Sequence, residues 1–583
     1  MSRNAEVAER LEEIADLYEA KDVGYKPNMY RRAASNVRDY PEAIEDLAEE
    51  GLDAVTEIDQ VGDSIGEKIV EYIETGSIER LEELRDEFPV RMQELTSVEG
   101  VGPKTAGELY QKLGIQNLDD LEEAARNQEI RELEGFGAKT EENILDHIEF
   151  ARQAQERDLL GDGRPLADDV KAFLTDVEDV ERVEIAGSTR RWRPTIGDID
   201  VLVASDAGES VGEALTEWDR VEETIEIGPT KTSVRASGIR VDLRVVVDEE
   251  FGSALQYFTG SADHNITLRN YALRKDLKVN EYGVFDVSDV EDPESGQRVG
   301  ERLASETEEA VYDALDLPWI PPEIREDRGE VEAAQNDALP DLVTLDDYRG
   351  DLHTHTDWSD GDYTLEEMLD AAEERGYDYY AVTDHGEGPG VFGDTGLADD
   401  DVLDQLDAVE AEAADRDVEV FTGIETNVDA DGNVVEVSDD VLAGVDIVVA
   451  SPHSGLGEDG GDQTDRLVAA IEHEHVDVLG HPTGRLINDR PAMELDPSEL
   501  GAAAAEHGVA LEINSNPHRL DLWGELVKVA VEEGATVTVN TDAHSPSEFG
   551  YTEYGVHTAR RGWCEPDDVL NTWDVDEVRD FLG

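Results

Sequence analysis

From residue 350 onward, short apolar runs alternate with helical stretches, and most of these runs stop at a histidine or a carboxylate. Tyr379 to Thr383 leads into Asp384 and His385, Val418 to Gly423 into Glu425, and Ile447 to Ala450 into His453. Val476 to Leu479 leads into His481, and Thr536 to Val539 into Asp542 and His544. Asp351-Leu352-His353-Thr354-His355 opens the series, with Asp360 five residues on. Ligands at the C-terminal ends of successive parallel strands converge on one mouth of a barrel, so this part is expected to form a barrel with one pocket lined by His, Asp and Glu. A single catalytic ion takes about three or four protein ligands. The nine here (His353, His355, Asp360, His385, Glu425, His453, His481, Asp542 and His544) would serve three ions bridged by carboxylates. His473, His475, His507, His518 and His557 end no such run and read as ordinary structural histidines.

The chain of 583 residues is too long for one core, and a prior of about 150 residues per domain points to several. Asp and Glu number 143 against 48 Lys and Arg, a net charge of −95 spread over globular patterning. Such self-repulsion is tolerable where concentrated salt screens it, so a halophile's cytoplasm is the expected setting. The single cysteine, Cys564, excludes an intramolecular disulfide framework, and the polar start carries no signal peptide. No run reaches the roughly 18 apolar residues of a membrane span.

Basic residues stand out against this background. One island holds Lys21, Lys26, Arg31, Arg32 and Arg38, and a second Arg190, Arg191 and Arg193. A third holds Lys231, Arg235, Arg240 and Arg244, and a fourth Arg269, Arg274, Lys275 and Lys278. They are expected to face nucleic acid. Beyond residue 350 the only lysine is Lys528, while 11 of the 13 histidines lie there, so two chemistries are joined in one chain.

The second island adjoins Gly187-Ser188-Thr189-Arg190-Arg191, followed by Gly197-Asp198-Ile199-Asp200; Asp242 lies in the β-rich run Arg240 to Val247. Side chains two apart on a strand share a face, so Asp198 and Asp200 can converge with Asp242 from a neighbouring strand. Three carboxylates can hold two Mg²⁺ ions about 3.5–4 Å apart, the arrangement for in-line displacement at phosphorus. The N-terminal 150 residues read as amphipathic helices broken by three similar glycine turns. These are Gly62 to Lys68, Gly100-Val101-Gly102-Pro103-Lys104, and Gly135-Phe136-Gly137-Ala138-Lys139. Each turn's amides, with the helix N-terminus that follows, suit a DNA phosphate.

Five motifs in order, Gly-Ser-x-Arg-Arg, Asp-x-Asp, Val-Asp-Leu-Arg, Tyr257-Phe258-Thr259-Gly260-Ser261 and Asn280-Glu281-Tyr282-Gly283, resemble those of the family X DNA polymerases over residues 1–320. The resemblance implies that Asp198, Asp200 and Asp242 bind the metals at the primer 3′-hydroxyl. It implies that Gly187, Ser188 and Arg191 hold the β- and γ-phosphates, and that Tyr257, Phe258 and Gly260 line the nucleotide sugar. Asn265 and Arg269 would touch the minor-groove side of the nascent pair. Two departures stand out: Ala262 replaces an acid, and Lys68, at a lyase nucleophile's position, has Ser64 where the relatives place a companion lysine. The C-terminal ligand set resembles the PHP (polymerase and histidinol phosphatase) family of trinuclear phosphoesterases on a distorted seven-stranded barrel, which implies phosphate-ester hydrolysis. The same fusion in bacterial and archaeal family X polymerases implies a Mn²⁺-favoured 3′-5′ exonuclease or 3′-end phosphoesterase.

The expected layout is a multidomain α/β chain. It comprises an 8-kDa-like helical domain (1–88), a helix-hairpin-helix domain (89–150), an α+β nucleotidyltransferase palm (151–249) and a nucleotide-selecting subdomain (250–320). A partly packed linker (321–349) and a (β/α)7 PHP barrel (350–583) follow. The expected activity is gap filling with dNTPs on gapped or primed DNA, of the base excision repair type. Mg²⁺ or Mn²⁺ would serve the palm and three Zn²⁺ or Mn²⁺ the barrel, in a monomer. Two other readings are a small-molecule phosphatase tethered to DNA and a nucleotidyltransferase acting on RNA or protein. The intact carboxylate triad opposes the first; the glycine turns and Tyr257-Phe258 oppose the second.

Overall fold

The computed structural model describes residues 3–583 except 22, 39, 41–43, 57, 59, 97, 99–100, 134–135, 140, 142–143, 146, 149–156, 294, 389–395, 415 and 457–460. It divides into two units, residues 1–158 with 487–490, and the remainder.

The first unit is helical. Helices Arg3–Ala20, Lys26–Arg38, Asp63–Thr75, Pro103–Leu113 and Leu118–Arg126 turn their apolar stripes inward, burying Leu11, Ile14, Leu17, Ile69 and Leu109 in one core. The first basic island lies here, and much of it is occupied within the unit. Arg31 pairs with Asp16 at 2.7 Å, Arg38 with Glu12 at 2.9 Å and Lys21 with Glu87. Exposed pairs of this kind contribute little stability, but they remove cations from the DNA-facing inventory.

The second unit opens with a five-stranded sheet, the palm: β1 (Arg182–Ile185), β2 (Ile199–Ala204), β3 (Val221–Glu226), β4 (Lys231–Ala236) and β5 (Ile239–Val246), in the order β1-β2-β5-β4-β3. β2 and β5 run parallel and the other neighbours antiparallel. Val201, Val203, Val241, Leu243 and the helix Leu160–Thr175 supply its core. Two helices, Phe251–Thr259 and Ala262–Leu273, then lead to a small antiparallel sheet, β6 (Leu277–Asn280), β7 (Gly283–Asp286) and β8 (Glu301–Ala304).

Residues 321–349 run along this unit with Glu323, Ile324, Arg325, Glu330 and Val331 buried. A barrel follows, of seven parallel strands in sequence order: β9 (Gly350–Asp351), β10 (Tyr379–Val382), β11 (Glu419–Val428), β12 (Ile447–Ser451), β13 (Val478–Leu479), β14 (Ala510–Asn514) and β15 (Val537–Asn540). A parallel bridge between Thr354 and Ala543 joins the two ends, so the barrel is nearly closed. Among the described residues no helix is long and apolar enough to cross a membrane.

Candidate active sites

The palm register places Asp200 directly beside Asp242 on parallel β2 and β5, and Asp198, just ahead of β2, is close enough to repel the Asp200 carboxylate. Burial, then repulsion from Asp198 and Asp242, pushes the Asp200 carboxyl up to about 7. Asp242 moves the other way: burial would raise it, but Arg240 (2.8 Å), Ser233 and Lys231 (3.4 Å) hold it below its ordinary value. Three crowded carboxylates with basic side chains drawn onto one of them form a site that suits divalent cations. Gly187 sits hard against it. At φ 62 it occupies the left-handed region, and a Cβ there would lie 2.2 Å from Asp200 Oδ2. The glycine therefore lets its loop approach the Asp200 carboxylate closely.

Arg190 and Arg191 are less free than a basic island implies. Arg190 forms a bidentate pair with Glu308 at 2.9 and 2.7 Å, and the buried Arg325 donates to the same carboxylate at 2.5 Å. Arg191 donates Nε to Glu326 at 2.9 Å and Nη1 to the Thr259 carbonyl at 2.7 Å. Ser188 is half-buried, and its carbonyl accepts from the Arg193 amide at 3.1 Å. In the fourth island Lys275 pairs with Asp316, and Lys278 donates to the Pro293 and Gly296 carbonyls. Arg269 is exposed, one turn beyond Asn265 on the same helix. Asn265 donates to the Tyr257 and Gly260 carbonyls at 2.7 and 3.2 Å, which ties its helix to the C-terminal end of helix Phe251–Thr259. The islands thus serve largely to tie the unit together, a role no charge count reveals.

Of the glycine turns, Gly62 and Gly102 sit at the N-caps of helices Asp63–Thr75 and Pro103–Leu113, with Pro103 in the first turn. Neither has positive φ, and a Cβ at either, or at Gly137, would meet nothing within 4 Å. Their backbone geometry does not require glycine, and the space a Cβ would fill is left open to a close-lying ligand. Lys104 and Lys139 are exposed; Gly100 and Gly135 lie outside the described residues. Lys68 donates to Ser64 through both its carbonyl (2.6 Å) and its hydroxyl (3.2 Å).

The barrel gathers all nine expected ligand residues. Glu425 is the hub, with His385 Nδ1 at 2.8 Å, His481 Nε2 at 3.1 Å, His453 Nε2 at 3.4 Å and His353 Nε2 at 3.5 Å from its oxygens. Asp542 lies 3.0 Å from His355, and Asp360 bridges His544 (3.3 Å) and His385 (3.6 Å). Three overlapping groups have metal-holding spacing: His355-Asp360-His385-His544, His353-His355-Glu425 and His385-Glu425-His453. Glu425 lies within β11 rather than beyond its end, because that strand continues to Val428. Two ligands, His481 (φ 24) and Asp542 (φ 55), have left-handed backbone, strain of the kind that collects at functional sites.

Metal ions fit this donor set. Among the described residues, buried His353 Nε2, both ring nitrogens of His355, His481 Nδ1 and Glu425 Oε2 have no hydrogen-bond partner, a costly arrangement unless an ion satisfies them. Electrostatics agrees. Burial would raise Glu425 and Asp542, but the surrounding imidazoles hold both far below the carboxylate range. His544 is pushed up to about 10, its burial overcome by Asp360 and Asp542.

The sequence reading missed the residues that orient these ligands. Glu512, on β14, receives His353 Nδ1 at 2.7 Å and the His481 amide at 2.7 Å. Asn427 Oδ1 holds His453 Nδ1 at 2.7 Å. Both leave Nε2 toward the hub, the usual way an outer partner sets a ligand's tautomer. Glu512 directly follows the apolar run Val509-Ala510-Leu511, so the signal that marked the nine expected positions was present here too, and the strand simply continues past it to Asn514.

Residues 2–78 match the helix-hairpin-helix domain family and 92–149 the SAM-like helix-hairpin-helix tandem. Residues 254–326 match the DNA polymerase beta thumb, and 351–516 the PHP domain. The chain is 36% identical over 577 residues, 98% of each chain, to the DNA polymerase/3′-5′ exonuclease PolX of Bacillus subtilis strain 168. It is 25% identical over 344 residues to DNA polymerase lambda of Rattus norvegicus, covering 55% of this chain and 56% of that one. Against a probable phosphatase of Thermoanaerobacter sp. strain X514 it is 29% identical over 249 residues, 40% of this chain and 93% of the other. With similarity to PolX running the whole length, and thumb, hairpin and PHP matches in order, the chain belongs to the family X DNA polymerases that carry a C-terminal PHP domain.

Proposed function

We propose that this protein is a gap-filling DNA polymerase of base excision repair that prepares 3′-ends with its own PHP hydrolase. The observation that carries the reading is the register of Asp200 beside Asp242, with Gly187 pressed against them. Asp198, Asp200 and Asp242 would hold Mg²⁺ or Mn²⁺, which when bound neutralise charge on the attacking and leaving oxygens. Ser188 and Arg191 hold the triphosphate, where a guanidinium matches paired oxygens. Tyr257, Phe258 and Gly260 exclude ribose, and Asn265 and Arg269 monitor the nascent pair. The glycine turns at Gly62, Gly102 and Gly137, with Lys104 and Lys139, grip DNA phosphates without reading sequence.

The nine barrel residues would hold three Zn²⁺ or Mn²⁺ ions, which supply charge neutralisation to phosphate-ester hydrolysis. The domain bounds proposed are those read from the sequence, and the setting is a salt-rich cytoplasm, as a monomer. The deciding experiment is extension of a primer on gapped duplex in molar KCl with Mg²⁺ or Mn²⁺, beside Asp198→Ala and His353→Ala. Extension that survives Asp198→Ala overturns the polymerase assignment; 3′-degradation that survives His353→Ala detaches hydrolysis from the barrel. A lyase role for Lys68 ends if borohydride traps no adduct there on abasic DNA.

A further inference from the structure

The loop that carries Arg191 does not stand on the palm alone. Glu326, at the end of the thumb match with its side chain largely enclosed, accepts from Arg191 on one oxygen and from Arg193 at 3.2 Å on the other. Another partner comes from the barrel. Arg561, at the end of helix Thr552–Arg561, donates Nη1 to the Arg191 carbonyl at 2.7 Å and to Glu326 at 3.2 Å.

Between the two palm arginines, Trp192 has left-handed backbone at φ 53, unusual for a bulky residue, and is held there from outside. Its ring lies flat on His557 of the same barrel helix, centroids 3.8 Å apart and planes within 6°, with Tyr554 edge-on at 5.6 Å. Glu323 fixes His557 at 2.8 Å and Arg560 at 2.7 Å. Backbone carbonyl, side-chain carboxylate and aromatic stack thus converge on a few residues of phosphate loop.

We propose that the barrel helix Thr552–Arg561 is a positioning element of the polymerase triphosphate site, acting on Arg191 through Glu326 and on its loop through Trp192. The proposal rests on the reading of Arg191 as a phosphate-binding residue. A free arginine loses rotamer freedom when it engages a phosphate. Glu326 and Thr259 fix Nε and Nη1 in advance, and Arg561 fixes the carboxylate that does so. The hydrolase barrel is then part of the machinery that binds dNTP.

The test uses the full chain: steady-state gap filling at varied dNTP, with 3′-end hydrolysis on the same preparations. The variants are Arg561→Gln, Glu326→Gln, their double, and Trp192→Gly, with Asp198→Ala as the control for palm-dependent synthesis. Arg561→Gln is expected to raise the dNTP KM roughly 2- to 30-fold, the usual range for coupling through packed side chains, with kcat changed less and hydrolysis intact. The double variant should lose less than the two single effects combined, because part of what Arg561 does runs through Glu326 while its bond to the Arg191 carbonyl does not. Trp192→Gly relieves backbone strain while deleting the stack, so a raised KM there reports lost positioning. Unchanged dNTP KM in both Arg561→Gln and Trp192→Gly overturns the proposal, as does an equal loss of synthesis and hydrolysis. Should Arg561→Gln fail to fold, Glu326→Gln and Trp192→Gly carry the comparison. Extension by Asp198→Ala would instead refute the palm assignment.

Discussion

Gly187→Ala offers the sharpest trial of the palm geometry, because no room for a methyl group is left between this backbone and the Asp200 carboxylate. The added Cβ would sit 2.2 Å from Asp200 Oδ2, where ordinary carbon-oxygen contact needs roughly 3.2 Å or more. The carboxylate must therefore retreat by about 1 Å, or the loop must give way. Holding alanine at φ 62 adds about 1–2 kcal/mol of strain. A displacement of about 1 Å at a reacting centre costs on the order of 100-fold in rate, or about 2.7 kcal/mol in the barrier. Single-turnover primer extension at saturating dNTP should fall by that factor, while 3′-end hydrolysis stays at the wild-type rate and the unfolding midpoint drops only slightly. Extension within threefold of wild type would show that the loop accommodates the methyl group and that its closeness to Asp200 does not matter.

Other outcomes follow from the barrel and the seam. Glu512→Gln weakens the hold on His353 and should lower the metal affinity of 3′-hydrolysis about 10–100-fold, read by Mn²⁺ titration, with extension unchanged. Added Mn²⁺ or Zn²⁺ should raise the unfolding midpoint of the wild-type chain and do so less for His353→Ala; equal shifts would place the ions elsewhere. Glu326 bears on acid stability. Burial would raise its carboxyl, but Arg191, Arg561 and Arg193 hold it at about 2, so its contribution is present above about 4.5 and lost as pH falls toward about 2. That contribution is on the order of 3 kcal/mol. Denaturant unfolding in molar KCl should therefore show wild type losing its advantage over Glu326→Gln between about pH 4.5 and about pH 2, and a constant difference would argue against the linkage.

What was legible in sequence is what local periodicity encodes. Strand alternation put Asp200 level with Asp242, and the His, Asp and Glu residues at or near the ends of apolar runs supplied the nine that the barrel gathers. The glycine turns announced helix starts because their composition is itself the signal.

Partners far apart in the chain were decided by the tertiary fold alone. Arg191 meets Glu326 across 135 residues, and Glu512 meets His353 across 159. A basic island looks the same in sequence whether its arginines face DNA or buried acids, and the fold turned Arg190, Arg191 and Arg193 toward Glu308 and Glu326. His557, unremarkable by spacing, acquired its place only when the barrel helix docked on Trp192. Residue type and period determine which chemistry a strand can present; which carboxylate reaches which guanidinium depends on how strands and helices pack, and that is settled only in three dimensions.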